Sequence, residues 1–154
     1  MKSPNALADV AEFHRTFRLP VLAAPAIPPE DRCRLRLNLL QEELDELRTA
    51  IADKDIVEVA DALADLQYVL SGAILEFGLG DKFRGLFEEV HRSNMSKTCG
   101  SREEAEATLA HYRTLEQYGR IEISGDKFLV YRDDDNKVLK NVNYSPANLT
   151  DQLR

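Results

Sequence analysis

The stretch EVADALADLQYVL, Glu58 to Leu70, decides how this chain folds. At about 100° per residue, Leu63, Leu66, Leu70 and then Ile74 fall on one aliphatic stripe. Glu58, Asp61, Asp65, Tyr68 and Gly72 fall on another, roughly opposite. The flanks between them (Val57, Ala60, Ala62, Ala64, Val69, Ser71 and Ala73) are small and apolar, so neighbouring helices can pack close on both sides of the acidic stripe. No Lys or Arg occurs between Asp55 and Asp81, so nothing local neutralises three stacked carboxylates. The period predicts a helix from Ile56 to Phe77, ended by Gly78 and Gly80.

Upstream, LLQEELDELRTAI (residues 39–51) continues the helical period, which runs from about Glu30 to Ala52 with Leu40, Leu44, Leu47 and Ile51 as its core stripe. Glu43 lies only about 60° from the centre of that stripe, at the border of the core, whereas Glu42 and Asp45 point further out. ADKD is the turn between the two helices. Folding them antiparallel about Ala52 puts Glu46 level with Glu58 and Glu43 level with Asp61, because the rise per residue is the same in both. The expected product is a box of four carboxylates across a helix–helix seam.

A solvated acidic face normally mixes signs, since Glu–Lys pairs one turn apart stabilise it. Here the signs do not mix. Four carboxylates at the edge of a core cost on the order of several kcal/mol unless something positive joins them. An all-oxygen donor set without His or Cys favours a hard cation, Mg²⁺ or Mn²⁺.

The remaining segments build the frame. SPNALADVAEFHRTF reads as a helix with Ser3 as N-cap, Pro4 in the first turn, and Leu7, Val10, Phe13 and Phe17 on its inner side. LPVLAAPAIPP is a proline-broken loop. DKFRGLFEEVHRSN gives a further helix, with Asp81 as N-cap and Phe83, Leu86, Phe87 and Val90 inward. Ser101 and Glu104 form a capping box for SREEAEATLAHYRTLEQYG. RIEISGDKFLVYRDDDNKVLK alternates and carries two turn signals, SGD and DDDN, which predict a two- or three-stranded meander appended to a helical bundle. DDDN is a hairpin turn rather than a calcium loop, because Val138 stands where the loop's glycine would be and Tyr144 where its closing glutamate would be.

A chain of 154 residues is long enough for a proper core. Its net charge of −7 and the absence of a Lys/Arg block argue against duplex nucleic acid as a partner. No stretch is long and apolar enough to span a membrane, and MKSPNALADV lacks a secretory signal's apolar run. Cys33 and Cys99 form neither a disulfide framework nor a metal-spaced cluster. The expectation is a cytoplasmic protein with two reduced thiols.

Glu43-x-x-Glu46 followed by Glu58-x-x-Asp61, within LLQEELDELRTAI and VEVADALADLQYVLSGAILEFGL, resembles the signature of the all-α nucleoside triphosphate pyrophosphohydrolases. These include MazG-like proteins, phosphoribosyl-ATP pyrophosphohydrolase and the dimeric dUTPases. VHRSNMSK and the tail KVLKNVNYSPANL are similar to segments of a MazG-like bacterial branch. The resemblance covers residues 30 to 98 well and the tail loosely. It implies an all-α fold, a four-helix-bundle-like core over residues 1–98, with the C-terminal helix, β-meander and tail of residues 99–154 packed on it. It also implies Mg²⁺-dependent cleavage between the α- and β-phosphates of a (d)NTP, releasing a nucleoside monophosphate and pyrophosphate, with dUTP or a non-canonical nucleotide among the candidate substrates.

On that reading Glu43, Glu46, Glu58 and Asp61 are the metal ligands, and Glu42, or failing it Asp65, orients or deprotonates the attacking water. Arg92, Asn94 and Lys97, where a helix ends, carry donors suited to phosphate and sugar. Asp65 and Tyr68 complete the substrate contacts, Tyr68 against a base or sugar, while Lys140 and Tyr144 could close over a nucleotide. His14 and His91 read as ordinary histidines. A homodimer or dimer of dimers is expected, because the hairpin has more apolar surface than so short a chain can cover. Two alternatives stand beside this reading. A di-iron bundle needs Glu-x-x-His on two helices, and no His lies between His14 and His91. The other is a non-catalytic nucleotide-binding or protein-interaction bundle.

Overall fold

The computed structural model describes residues 4–153. It is mostly helical with one small antiparallel hairpin, and it divides into two compact units, residues 1–83 and 84–154. The first unit holds α1 (Ala6–Thr16), α2 (Glu30–Asp53) and α3 (Ile56–Glu76), with α2 and α1 both packed on α3.

α1 begins later than its sequence suggests. Asn5 occupies the N-cap position, and Ser3, expected there, lies outside the described residues. The helix buries Val10, Ala11 and His14, whereas Phe13 and Phe17 stay exposed and stack on each other, ring centroids 4.5 Å apart. The buried face is therefore rotated from the expected one, because it follows His14 into a polar cluster rather than the larger aromatic rings.

α2 and α3 form the antiparallel hairpin. The turn is centred on Lys54, a left-handed residue (φ 58°, ψ 30°), and not on Ala52. Lys54 N–H donates to Ile51 C=O and Asp55 N–H to Ala50 C=O, which closes α2 in a Schellman arrangement. Asp55 then caps α3, its carboxylate accepting from the N–H groups of Val57 (2.9 Å) and Glu58 (3.2 Å). α3 ends in a second Schellman arrangement, with Gly78 N–H on Leu75 C=O and Leu79 N–H on Ile74 C=O. Gly78 has φ +67°, and a Cβ there would lie 1.9 Å from Ala24 O. The proline-broken loop crosses at that point, bonded through Leu22 N–H to Leu75 C=O and Ala26 N–H to Phe77 C=O.

Two of the expected core stripes are only partly covered in the single chain: Leu40, Leu47 and Leu66 are half-buried. Leu44 and Ile51 on α2, and Leu63 and Leu70 on α3, are exposed, whereas Ala50, Ala62, Ile74 and Leu75 are buried. Small residues close the seams, and the leucine stripe faces outward because α1 covers only one side of α3.

The second unit contains α4 (Phe83–Met95), α5 (Arg102–Arg113), β1 (Gly119–Ser124), β2 (Lys127–Arg132) and α6 (Leu149–Leu153). α4 starts two residues beyond Asp81, which sits in the preceding turn rather than at the N-cap, and it buries Leu86 while Phe87 and Val90 are exposed. The capping box is present: Ser101 Oγ accepts from Glu104 N–H, and the Glu104 carboxylate reaches back to Gly100 N–H. β1 and β2 pair antiparallel from Gly119↔Arg132 to Ser124↔Lys127, around Gly125 at φ +61°. The third segment of the expected meander contributes a single bridge, Tyr131↔Val138. Asp135 in DDDN accepts from Arg132 and from Lys137 N–H, so that cluster is a closed turn. Cys99, Ala105, Leu109, Val130 and Leu139 make the core of this unit.

Candidate functional site

Moving the turn from Ala52 to Lys54 changes which carboxylates meet. Glu43 and Asp65 are each eleven residues from Lys54, so Asp65 takes the level expected for Asp61. The electrostatics agree. Burial pushes the Glu43 carboxyl above its ordinary value, and Asp65 then raises it further, followed by Glu46, Glu42 and Asp61. Glu43 is thus the centre of an acidic cluster that includes Glu42, Glu46, Asp61 and Asp65, while Glu58 stands apart from it, nearer the turn.

Towards the turn the seam opens into a cavity of about 600 Å³ lined by Glu42, Asp45, Glu46, Asp53, Asp55 and Glu58, with Thr49 and Ala50. Glu46 belongs both to this cavity and to the surroundings of Glu43. Among the described residues, no side chain donates a hydrogen bond to the carboxylates of Glu42, Glu43, Glu46, Glu58, Asp61 or Asp65, and none forms an ion pair with them. Four acidic side chains elsewhere behave differently: Glu76, Glu89, Glu104 and Asp135 each hold an arginine, amide or backbone donor. The free carboxylates supply only oxygen, which suits a hard divalent ion. As they stand, no three of the described His, Cys, Asp or Glu side chains converge on one point as a metal cage. All six except half-buried Glu43 are exposed.

Two to three turns further along the same seam the chemistry reverses. Glu76, 1 % exposed, is clamped by Arg32, whose Nε donates at 3.1 Å and whose Nη2 donates to the second oxygen, and by Arg36 Nη2 at 2.5 Å. Burial alone would push this carboxyl up, but the two guanidiniums more than reverse it and hold it below the ordinary range. His14, also buried, lies 2.8 Å through Nδ1 from Pro20 O, a pure acceptor. Nδ1 therefore carries the proton, and Nε2 accepts from Arg36 Nη2 at 3.2 Å. Tyr68 stands edge-on to Phe13, centroids 5.6 Å apart. Phe13, His14, Arg32, Arg36 and Tyr68 are among the residues that line a second cavity of about 270 Å³.

The sequence singled out Tyr68 here but missed Arg36, Glu76 and Phe13 as a group. The available signal was a lone glutamate at the apolar end of α3, with two arginines one turn apart at the start of α2.

Arg92, Asn94 and Lys97 lie in the second unit, where each is engaged. Arg92 binds Glu89 in a fork (2.7 and 2.8 Å) and reaches Ser145 Oγ and Pro146 O, both at 3.1 Å. Asn94 donates to Val90 O and accepts from Lys97 Nζ at 2.7 Å. Lys140 Nζ sits over the Tyr144 ring, 4.5 Å from its centroid, and the Tyr144 hydroxyl lies 2.9 Å from Ser93 Oγ. These contacts pin the tail segment to α4. No described helix is long and apolar enough to cross a membrane, and both cysteines are free thiols.

Residues 10–94 match the family described as phosphoribosyl-ATP pyrophosphohydrolase. An uncharacterized protein of Acanthamoeba polyphaga mimivirus is 22% identical, over 94% of each chain. The matched span includes the acidic cluster and the whole α2–α3 hairpin, and the family's chemistry is hydrolysis of phosphoanhydride bonds in nucleotide-like molecules. The chain belongs to the phosphoribosyl-ATP pyrophosphohydrolase family.

Proposed function

We propose that the protein is a Mg²⁺-dependent nucleoside triphosphate pyrophosphohydrolase, converting a (d)NTP to the monophosphate and pyrophosphate. The observation that carries this reading is the run of six carboxylates on α2 and α3 (Glu42, Glu43, Glu46, Glu58, Asp61 and Asp65). Three of them, Glu42, Glu46 and Glu58, line the cavity, and none holds a cation among the described residues. Glu43, Glu46, Glu58 and Asp61 are the ligands of the ion. Once bound, it neutralises phosphate charge and makes a coordinated water more acidic. Glu42, exposed at the cavity wall, takes the proton of the attacking water. The water oxygen bonds to the α-phosphorus, the bond to the bridging oxygen breaks, and pyrophosphate leaves. Asp65 adds negative charge at Glu43 and favours occupancy by a cation over a bare carboxylate cluster.

Arg92, Asn94, Lys97 and Tyr68 are the proposed substrate contacts outside the ligand set. In the first three, existing hydrogen bonds (to the tail for Arg92, within the end of α4 for Asn94 and Lys97) leave only part of each donor set for phosphate. The working form is a homodimer or dimer of dimers, supported by the exposed leucines of α2 and α3. Product analysis across a panel of natural and modified dNTPs, dUTP included, tests the reading. Pyrophosphate with monophosphate is expected. Orthophosphate with diphosphate would overturn the site of cleavage, and no release from any nucleotide with Mg²⁺ or Mn²⁺ would favour a non-catalytic nucleotide binder.

A further inference from the structure

We propose that a cavity of about 310 Å³ in the second unit, lined by Lys97, Arg132, Lys137 and Lys140, binds a polyphosphate group without a metal ion. The group is free pyrophosphate or the phosphate chain of a nucleotide. Every lining residue falls within 84–154, and none belongs to the carboxylate cavity. Of the substrate contacts already proposed, Lys97 alone takes part.

The segment Lys137-Val138-Leu139-Lys140 builds the site. Lys137 C=O accepts from Arg132 N–H at 2.9 Å, Val138 bridges to Tyr131, and Leu139 N–H donates to Val130 C=O at 2.8 Å. The segment is thereby held against β2. Lys140 N–H donates to Tyr112 Oη at 3.1 Å, which ties the end of α5 to the same segment. Leu139 turns into the core of the unit, while the lysines on either side of the Val-Leu pair stay exposed. Lys97, past the end of α4, and Gln117, past the end of α5, complete the lining.

No Asp or Glu lines this cavity, although the chain carries a net charge of −7. Elsewhere the spare carboxylates are used. Arg34, Arg48, Arg84, Arg92 and Arg102 each hold one within a turn of helix. Arg132 holds Asp135 through Nε at 2.9 Å and Nη2 at 2.6 Å, so that pair is neutral. Lys97, Lys137 and Lys140 form no ion pair among the described residues. The Lys97 ammonium donates to Asn94 Oδ1 at 2.7 Å, and the Lys140 ammonium lies 4.5 Å from the centroid of the Tyr144 ring. Neither contact cancels a charge. The three lysines therefore set the sign of the cavity.

These donors are open to solvent. Lys137 and Lys140 are exposed, and Lys97 and Arg132 are half-buried. The Tyr112 hydroxyl accepts from Lys140 N–H and keeps its own hydrogen to donate. Arg132 keeps its Nη1 hydrogens. Such a lining suits an anion with many acceptor oxygens. Lysine ammoniums on mobile stems accept varied oxygen positions, so linked phosphates can engage several of them together. The ammoniums supply the neutralisation that a divalent ion supplies among carboxylates, so no metal is required.

Calorimetry on the full chain in EDTA tests this with pyrophosphate, ADP and sulfate. Without a divalent ion the carboxylate cluster repels all three, so the result does not depend on the catalytic reading. Pyrophosphate and ADP should bind at least about tenfold more tightly than sulfate, and more weakly as salt rises. ADP tighter than pyrophosphate assigns the nucleotide as the source; equal or weaker binding assigns free pyrophosphate. Lys137→Glu reverses a charge at a side chain with no hydrogen bond to lose, and should weaken both ligands by at least about tenfold. A thermal melt checks its fold, and Lys140→Gln serves if it fails. Lys127→Glu makes the same charge change outside the cavity and should alter binding by less than about threefold.

No binding without metal, sulfate bound as tightly as pyrophosphate, or equal losses in Lys127→Glu and Lys137→Glu would each overturn the proposal. Metal-free binding with no turnover of any triphosphate in Mg²⁺ would overturn the catalytic reading and support this site.

Discussion

Two glutamates on one hairpin meet opposite fates. Glu76 is buried with two guanidiniums, and its carboxyl is held below the ordinary range despite its burial. A depressed carboxylate stabilises the fold above its unfolded pKa, about 4.3, and that contribution is lost as pH falls through the folded value. Glu76→Gln leaves buried Arg36 and half-buried Arg32 short of a counter-charge and should cost about 3 kcal/mol at pH 7. Urea unfolding at pH 7 and pH 3 checks both parts: the variant should be weaker at pH 7 and closer to wild type at pH 3. Glu43 instead sits among like charges. Glu58→Gln and Asp61→Asn should abolish pyrophosphate release while leaving the metal-free protein as stable as wild type or more so, since each removes a charge from the cluster. Mg²⁺ should raise the wild-type melting temperature, by the equivalent of about 2.7 kcal/mol at a hundredfold excess over Kd, and do little for the variants. Equal shifts in all three proteins would remove the carboxylate site. The acidic cluster was legible because its members recur one turn apart with no cation between them. The Glu76 clamp was not, because its arginines come 44 and 40 residues earlier and only the hairpin brings them together.

At the level of elements, helix periods and both long-helix boundaries are written in the sequence, but the register of the hairpin is not. ADKD offers no glycine to mark the left-handed residue, and Lys54 takes that conformation because the Schellman bonds and the Asp55 cap fix it from both sides. A pivot two residues later moves Glu43 from the level of Asp61 to that of Asp65. Lys54→Gly removes the Cβ from a left-handed position and should stabilise the chain by roughly 1 kcal/mol, less what the freer unfolded chain takes back. Gly78→Ala is the converse. It adds a Cβ at positive φ, 1.9 Å from Ala24 O, where backbone opposes backbone and neither yields cheaply. It should cost more than about 2 kcal/mol. Thermal melts of the two variants should therefore move in opposite directions. A neutral Gly78→Ala would mean that the proline-broken loop does not hold its place against α3.

For the whole molecule the informative failure of the sequence reading is the leucine stripe. Periodicity marks Leu44, Ile51, Leu63 and Leu70 as core, yet the single chain leaves them exposed, Ile51 to 60 %. Periodicity reports that a face is to be buried and is silent on whether the cover belongs to the same chain. Isolated surface leucines need no explanation, but exposed apolar residues recurring at helical spacing on two packed helices do. A second copy offering the same residues would bury them symmetrically, as a two-fold interface requires. Sedimentation at micromolar concentration should therefore show a dimer or dimer of dimers. Replacing Leu44 and Leu63 together by Glu should give a monomer, because two carboxylates facing their symmetry mates are both desolvated and repelled. Neither residue lines the carboxylate cavity, so any accompanying fall in pyrophosphate release would mean that the partner is needed to complete the site. A wild-type monomer at that concentration would reject the dimer, and the exposed stripe would then require cover from a different protein.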